Sequence, residues 1–444
     1  MNYCHYSKLL SQFFLILSYM SIFLILPHQL FEIKHLDKSY KYIIWEHPHY
    51  FKAYNYNKKR ILMHRASMKY YYDYLKSKGF QCKYVDFNDN PRLKQYLLFD
   101  PIDKIKLTGK YTIIESPNFL LNKEMYGKYR DKTKNFFFYF FYMWGKNEIN
   151  VLPKVKSKDK YNRSTLPKNI NIPEPPSNNA DNKYIQQGIS YINKHFKTNY
   201  GNTDDFMFPV THKTAKKFLK AFIDKKLINF GKYQDAISQD HEFLFHSLLS
   251  SSINIGLLNP DDVIKQVLKK KAPINSVEGF VRQLFWREYQ RYCYIYYNFG
   301  DKNYFGNKKK LTKDWYDGTL GIEPVDMSIQ SAFDNGYLHH IERLMVVGNF
   351  MNLSGIHPKE GFRWFMEFSC DSYEWVMHQN VLEMVFFVSG GDTMRRPYIS
   401  SSNYILKMSD YQKGEWSEEW DIMYKEFIKK HKKKLHKYRY YYKI

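Results

Sequence analysis

The chain has 444 residues, 44% of them hydrophobic and 19% aromatic, enough apolar material to bury a core in each of two or three domains. Its 68 Lys and Arg against 44 Asp and Glu leave a net charge of +24, which favours a polyanionic partner, with a solvated basic surface as the plainer reading. The four cysteines, Cys4, Cys82, Cys293 and Cys370, stand singly, which excludes a disulfide framework and a cysteine–zinc site and fits a reducing compartment.

The first predicted element lies in the apolar run 13–26. The run is shorter than the ~20 residues that cross a bilayer, and it lacks the basic leader and small-residue cleavage site of a signal peptide. Its second half, 21–26, has the pattern of a fully buried parallel strand. Further β-rich runs come at 41–46, 81–87 and 111–116, and helical spacing fills 57–79, closed by Gly79. This alternation predicts an open parallel α/β sheet over 21–150, with 1–20 an extension outside the fold. No glycine-rich phosphate loop follows these strands, which excludes nucleotide binding of that kind.

Residues 151–184 are polar, charged and Pro-rich, the composition of a linker. From 185 to 424 apolar residues recur at helical spacing and predict an all-α domain. Residues 425–444, rich in Lys, His and Tyr, read as a solvated basic tail able to add phosphate contacts.

The chemistry-bearing segments lie in the helical half. In 241–260, Ser247 and Ser250 place hydroxyls near a helix start, where free N–H groups can hold a diphosphate; a Ser-rich packing face is the alternative. In 274–294, Gln283 and Trp286 share one helical face, and Arg287 with Glu288 reads as a structural ion pair. His339 and His340 sit on an apolar helix ahead of Arg343, but no third histidine or carboxylate cluster accompanies them, so no metal is predicted. Trp364, Asp371, Met377 and Asn380 follow, then the basic turn Arg395-Arg396-Pro397-Tyr398. In this order the segments resemble the photolyase/cryptochrome family, most closely its bacterial (6-4) branch, over about residues 21–424.

The resemblance implies an α/β antenna-type domain joined to an all-α FAD-binding domain. It implies FAD contacts from Tyr233, Ser247, Ser250, Arg343 and Asp371, with Met377 and Asn380 near the flavin N5 edge. It gives Gln283, Trp286, Arg395, Arg396 and Tyr398 to the DNA and its lesion, and His340 to proton supply at the lesion. Trp364 matches the proximal electron-transfer tryptophan, with Tyr316 or Trp315 further out. In the N-terminal half, His28, Gln29 and Glu46 fall where relatives hold an antenna chromophore, a ribityl-lumazine in the bacterial branch, although Pro27 and His28 replace Gly and Asp. Other departures are His246 in place of Thr, Leu344 where animal-type (6-4) enzymes have a further His, and Met377 in place of a polar residue.

The activity implied is light-driven repair of ultraviolet pyrimidine dimers, (6-4) photoproducts favoured, by electron transfer from reduced FAD to a flipped-out lesion. A cryptochrome-like photoreceptor without repair is the rival reading, and a DNA-binding relic without flavin a weaker third. The expected partner is damaged DNA, and the expected protein a soluble intracellular monomer. Relatives open almost directly on strand one, so Met20 rather than Met1 is the expected start. The bacterial branch also carries an iron–sulfur cluster on four cysteines. Here Pro324 stands in the upstream region, no Cys follows the Met408-Ser409-Asp410-Tyr411 segment, and Cys293 and Cys370 cannot replace four ligands, so no cluster is expected.

Overall fold

The computed structural model describes residues 22–134 and 136–442. The expected start at Met20 and the first half of the leading apolar run lie outside them. Among the described residues no helix is long and apolar enough to cross a membrane.

Five parallel strands form the N-terminal sheet: β1 (Ile22–Ile25), β2 (Lys41–Trp45), β3 (Cys82–Val85), β4 (Gln95–Phe99) and β5 (Lys110–Ile114), in the order β3-β2-β1-β4-β5. Four lie where the sequence places them. The addition is β4, which pairs Leu97 with Phe23 and Leu98 with Leu24 of the central strand. Its apolar stretch is short and bounded by Lys94 and Asp100, so only its neighbours make it a strand.

The chain order reverses between β1 and β4, the switch point where open α/β sheets commonly bind ligands. Here Gln29 fastens the two strand ends. Its side chain accepts from Leu26 N (3.1 Å) and donates to Phe99 O (2.8 Å). His28 Nε2 lies 2.9 Å from Pro101 O, and burial pushes this imidazole down to about 3.

Helix α1 (Lys58–Ser77) bolts the sheet layer to the helical region. Its cap, Asn57, accepts from Lys59 N (2.8 Å) and donates through Nδ2 to Phe333 O (2.7 Å). One turn on, Arg60 Nη2 donates to Ser372 O (2.8 Å). A continuous apolar core therefore runs from Phe23 in the sheet to Trp420 near the C-terminus.

Helices α2 (Lys123–Lys132) and α3 (Phe138–Glu148), within the span the sequence gives to the α/β region, share a second core with Val281, Phe285 and Tyr289 of the helical half. In the 151–184 segment Asp181 is buried and pinned, accepting from Val210 N, Thr211 Oγ1 and Thr214 Oγ1 at 2.7–2.9 Å. Helix α4 (Asn182–His195) then crosses α1 at Gly188, where a Cβ would come within 2.4 Å of Leu62 Cδ1.

The remainder is helical. It includes α5 (Ser250–Asn254), α6 (Ile274–Tyr296), α7 (Glu323–Asn335), α8 (Pro358–Phe368), α9 (Glu374–Met377) and α10 (Glu415–Lys430), with π-helical segments at Glu342–Gly348 and His378–Val385. Pro324 opens α7, and Trp420 packs against Phe350 while donating to Ser400 O (3.0 Å). Cys293 and Cys370 are buried free thiols in different cores, each pushed up by burial.

The C-terminal tail corrects the sequence reading. Rather than a solvated end, it docks Phe427, Leu435, Tyr438 and Tyr442 against Phe305, Phe387 and Met394. The hydroxyls of Tyr438 and Tyr442 donate to Gly390 O (3.1 Å) and Pro397 O (2.5 Å). Lys434 and Lys437 add bonds to the carbonyls of Tyr304 and Gly390, and the apolar stripe buttresses the Arg395–Arg396 turn.

Candidate functional site

The predicted site residues sit on unusual backbone. The segment 244–248 places Leu244 and Leu248 at φ 40° and 57°, left-handed conformations that cost a branched side chain of order 1–3 kcal/mol and cluster at functional sites. Arg343 and Asn380 both lie in π-helical stretches, a second such marker. At the end of the Ser-rich motif, Gly256 (φ 89°) lies so close to Phe31 that a Cβ would meet its ring at 2.5 Å. Glycine is required there for both reasons.

Arg343 is the hub. Its Nε donates to Leu338 O (2.7 Å), Nη1 to Asp371 Oδ1 (2.9 Å) and Nη2 to Ser369 Oγ (3.2 Å). The Ser369 hydroxyl also donates to Asp371 (2.5 Å), and Ser250 adds a further bond. Burial pushes the Asp371 carboxyl up, but Arg343 and the two hydroxyls outweigh it and hold it below the ordinary carboxylate range. The pair is therefore charged and oriented, with its hydrogen-bonding capacity fixed by neighbours.

Asn254 at the end of α5 ties this hub to α6. Its Nδ2 donates to Asp371 O (3.0 Å), while its Oδ1 accepts from Arg287 Nε (2.9 Å). Arg287 also donates to Asn118 O (2.7 Å) but stands 3.9 Å from Glu288, whose oxygens accept from Leu120 N, Leu121 N and Tyr126 Oη. Arg287 and Glu288 are structural, as expected, though each is anchored more firmly elsewhere than to the other. Immediately before Arg287, Trp286 Nε1 donates to Asn380 Oδ1 (2.9 Å), which also accepts from Gln290 Nε2 (3.1 Å). Gln283 stays half-buried on that face, and Met377 is buried at the start of the Asn380 segment.

Sequence reasoning missed Asn254, Gln290 and Ser369. Gln290 was legible, since 283, 286 and 290 share one helical face. Asn254 carried no such signal, because its role is to join two motifs distant in sequence.

His340 is 44% exposed through its side chain, with Nε2 3.5 Å from Asp235 Oδ1. Its neighbour His339 is buried and stacks on His246, ring centroids 4.8 Å apart and 14° between planes. Glu342 Oε2 accepts from His339 N (3.3 Å), and burial pushes this carboxyl up to about 8. The absence of a third histidine held in the sequence alone; folding brings His246 to the pair.

Trp364 is fully buried, its Nε1 donating to Trp315 O (2.6 Å). Its ring lies 4.7 Å from Phe368, over whose face Arg343 sits at 5.3 Å. Outward, Phe333 (5.7 Å) leads to Tyr316 (5.6 Å) and its stacked partner Tyr200 (4.6 Å). Arg395 and Arg396 have no carboxylate within salt-bridge range among the described residues; Arg396 lies over Tyr398 and Tyr441.

Not every expected residue converges. Tyr233 stacks on Phe245 in a separate small core with Leu166, Ile170 and Ile172. Ser247 Oγ accepts from Leu249 N (3.4 Å) within its own turn. Glu46 is fully buried and accepts from Arg65, Tyr84 Oη, Phe87 N and Tyr191 Oη, so its oxygens are already committed within the protein. Gln29 is likewise used at the sheet, whereas buried His28 Nδ1 has no partner.

The model of a family described as deoxyribodipyrimidine photo-lyase-related protein matches residues 23–98 and 92–208. A (6-4) photolyase of Agrobacterium fabrum is 42% identical over 239 residues, 52% of this chain and 47% of that protein, so the match spans about half the relative's length. Two solved structures share the fold. A bacterial class III photolyase from Agrobacterium tumefaciens has TM-score 0.58 and 15% identity over 92% of this chain and 86% of its own. An archaeal photolyase from Sulfolobus tokodaii, solved with two FAD molecules, has TM-score 0.55 and 14% identity over 93% and 91%. With the parallel sheet, the helical half and the Arg343–Asp371 hub in place, these matches lead to one conclusion: the chain has the photolyase fold and is similar in sequence to the photolyase-related family over residues 23–208.

Proposed function

We propose that this chain is a light-driven, FAD-dependent DNA repair enzyme acting on ultraviolet pyrimidine dimers, with (6-4) photoproducts the favoured lesion. The observation that carries the reading is the continuous bonded chain Arg343–Asp371–Asn254–Arg287, set beside the Trp286–Asn380 pair on the same helix α6. The residues fit a flavin. A charged, preoriented Arg–Asp pair suits the polar edge of the ring, and Ser250 with the buried, unpartnered Ser252 hydroxyl offers donors at a helix start. Arg343, Asp371, Asn380 and Met377 would hold the ring, and Ser250 the diphosphate. When bound, FAD supplies the light absorption and the electron for the lesion. Trp286 and Gln283 would receive the flipped-out lesion, Tyr398 and the two arginines would grip the flanking strand, and His340 would supply the proton.

Purified protein is expected to be yellow with non-covalent FAD, to lack stoichiometric iron and acid-labile sulfide, and to repair damaged DNA only in light. A folded preparation that takes up no FAD overturns the reading. One that holds FAD yet repairs neither dimer class is a photoreceptor.

Trp364 is proposed as the first electron donor to photoexcited oxidised flavin, with Tyr316 beyond it. Trp364→Phe is expected to slow photoreduction under constant reductant; an unchanged rate removes Trp364 from the path. For DNA, neutralising Arg395 and Arg396 together is expected to lower the slope of log K against log salt by about 2, as each phosphate contact contributes ~0.9. Equal slopes would mean that the turn does not touch phosphates.

A further inference from the structure

We propose that His246, His339 and His340 form a binding site for a divalent ion of the zinc class. One ring nitrogen from each can be offered, and these three atoms all lie within 4.8 Å of one another. His246 and His339 are buried, 8% and 3% exposed, and the Nε2 of each has no hydrogen-bond partner. A buried polar atom without a partner costs roughly 1–3 kcal/mol, and two side by side call for a ligand that satisfies both.

Imidazole nitrogens suit zinc and its neighbours among the transition metals, and three protein ligands leave a fourth position open. The Glu342 carboxyl, 3.4 Å from His339 Nε2, is the nearest oxygen donor to that position. Asp235, 3.5 Å from His340 Nε2, is placed to hold the far nitrogen of that ring while the other faces the ion, the carboxylate–histidine–metal arrangement.

Two costs oppose binding. Ligand nitrogens around tetrahedral zinc stand about 3.4 Å apart, given metal–nitrogen distances of ~2.0–2.1 Å, so the trio must close slightly. His340, the exposed member, is the one free to move. His339 Nδ1 also accepts from Ile341 N at 3.3 Å, and coordination through Nε2 gives up that long bond.

The inference does not rest on the repair reading, although the two meet at His340. An ion there takes the nitrogen that would serve the lesion, so saturating zinc is expected to slow (6-4) repair by the ~10²–10⁴-fold a positioned acid contributes, reversibly on chelation.

The test uses the flavin-loaded full chain, stripped with chelator and titrated in the dark without DNA. Zinc is followed by calorimetry and cobalt(II) by its visible spectrum. One ion per chain is expected, with a tetrahedral cobalt spectrum. His246→Ala and His340→Ala should each weaken binding by more than the ~10–100-fold expected of Asp235→Asn. No zinc uptake by the wild-type protein, or unchanged affinity in both histidine variants, overturns the proposal. His340 is at the surface, so its variant reports even if His246→Ala does not fold. Absence of the metal leaves the repair reading standing, and absence of repair leaves the titration intact.

Discussion

Replacing His340 by alanine is expected to leave FAD bound and to cut (6-4) repair about 10²–10⁴-fold, some 3–5 kcal/mol of barrier. The side chain is the solvent-reaching member of the pair and lies near one carboxylate, Asp235, so its loss opens no core cavity and breaks no bond of the Arg343–Asp371 hub. A merely structural histidine at this exposure would cost within about 0.5 kcal/mol and leave the rate unchanged. The measurement is single-turnover repair of oligonucleotides carrying a (6-4) or a cyclobutane dimer, alongside flavin content. Unchanged (6-4) repair removes His340 from the mechanism. Cyclobutane repair alone, in both wild type and variant, assigns the other lesion class.

Glu46→Ala is expected to destabilise the protein by about 3–5 kcal/mol, because it breaks a largely buried ion pair and leaves Phe87 N and Tyr84 Oη without their acceptor. Glu46 follows β2 and is fully buried. It accepts from Arg65 Nη1 (2.6 Å), Phe87 N (3.2 Å), Tyr191 Oη (3.1 Å) and Tyr84 Oη. Its removal leaves the Arg65 side chain, 14% exposed, with only Asp86 at 3.2 Å. Tyr191 of α4 keeps its bond to Asp86 (2.7 Å). The alternative is an antenna-holding carboxylate, whose loss would change chromophore content at little cost to stability. Denaturant unfolding of the two proteins separates these outcomes: a shift under about 1 kcal/mol, the size of an exposed pair, would refute the structural role.

The sequence by itself determined the elements whose signal is local. β1 and β2 are apolar runs long enough to declare two buried faces, and α1 carries its own cap and stop in Asn57 and Gly79. The ordered motifs around Trp286, Arg343 and Asp371 carried the resemblance to the family, since each is a contiguous pattern on one helix or loop. Tertiary structure decided the rest. The strand β4 is defined by its partners in the sheet, not by its three apolar residues. The tail reads as basic because about half of its residues are; Phe427, Tyr438 and Tyr442 find a face only when Phe305 and Phe387 are there to meet them. Glu46 has Tyr191, from the far side of the linker, as a partner only in the folded chain. His246 joins His339 only because the Ser-rich loop and the Arg343 helix close on the same hub. Local pattern encodes backbone preference and which face is apolar. Which groups meet across that face depends on chain closure and packing, and no local window contains either.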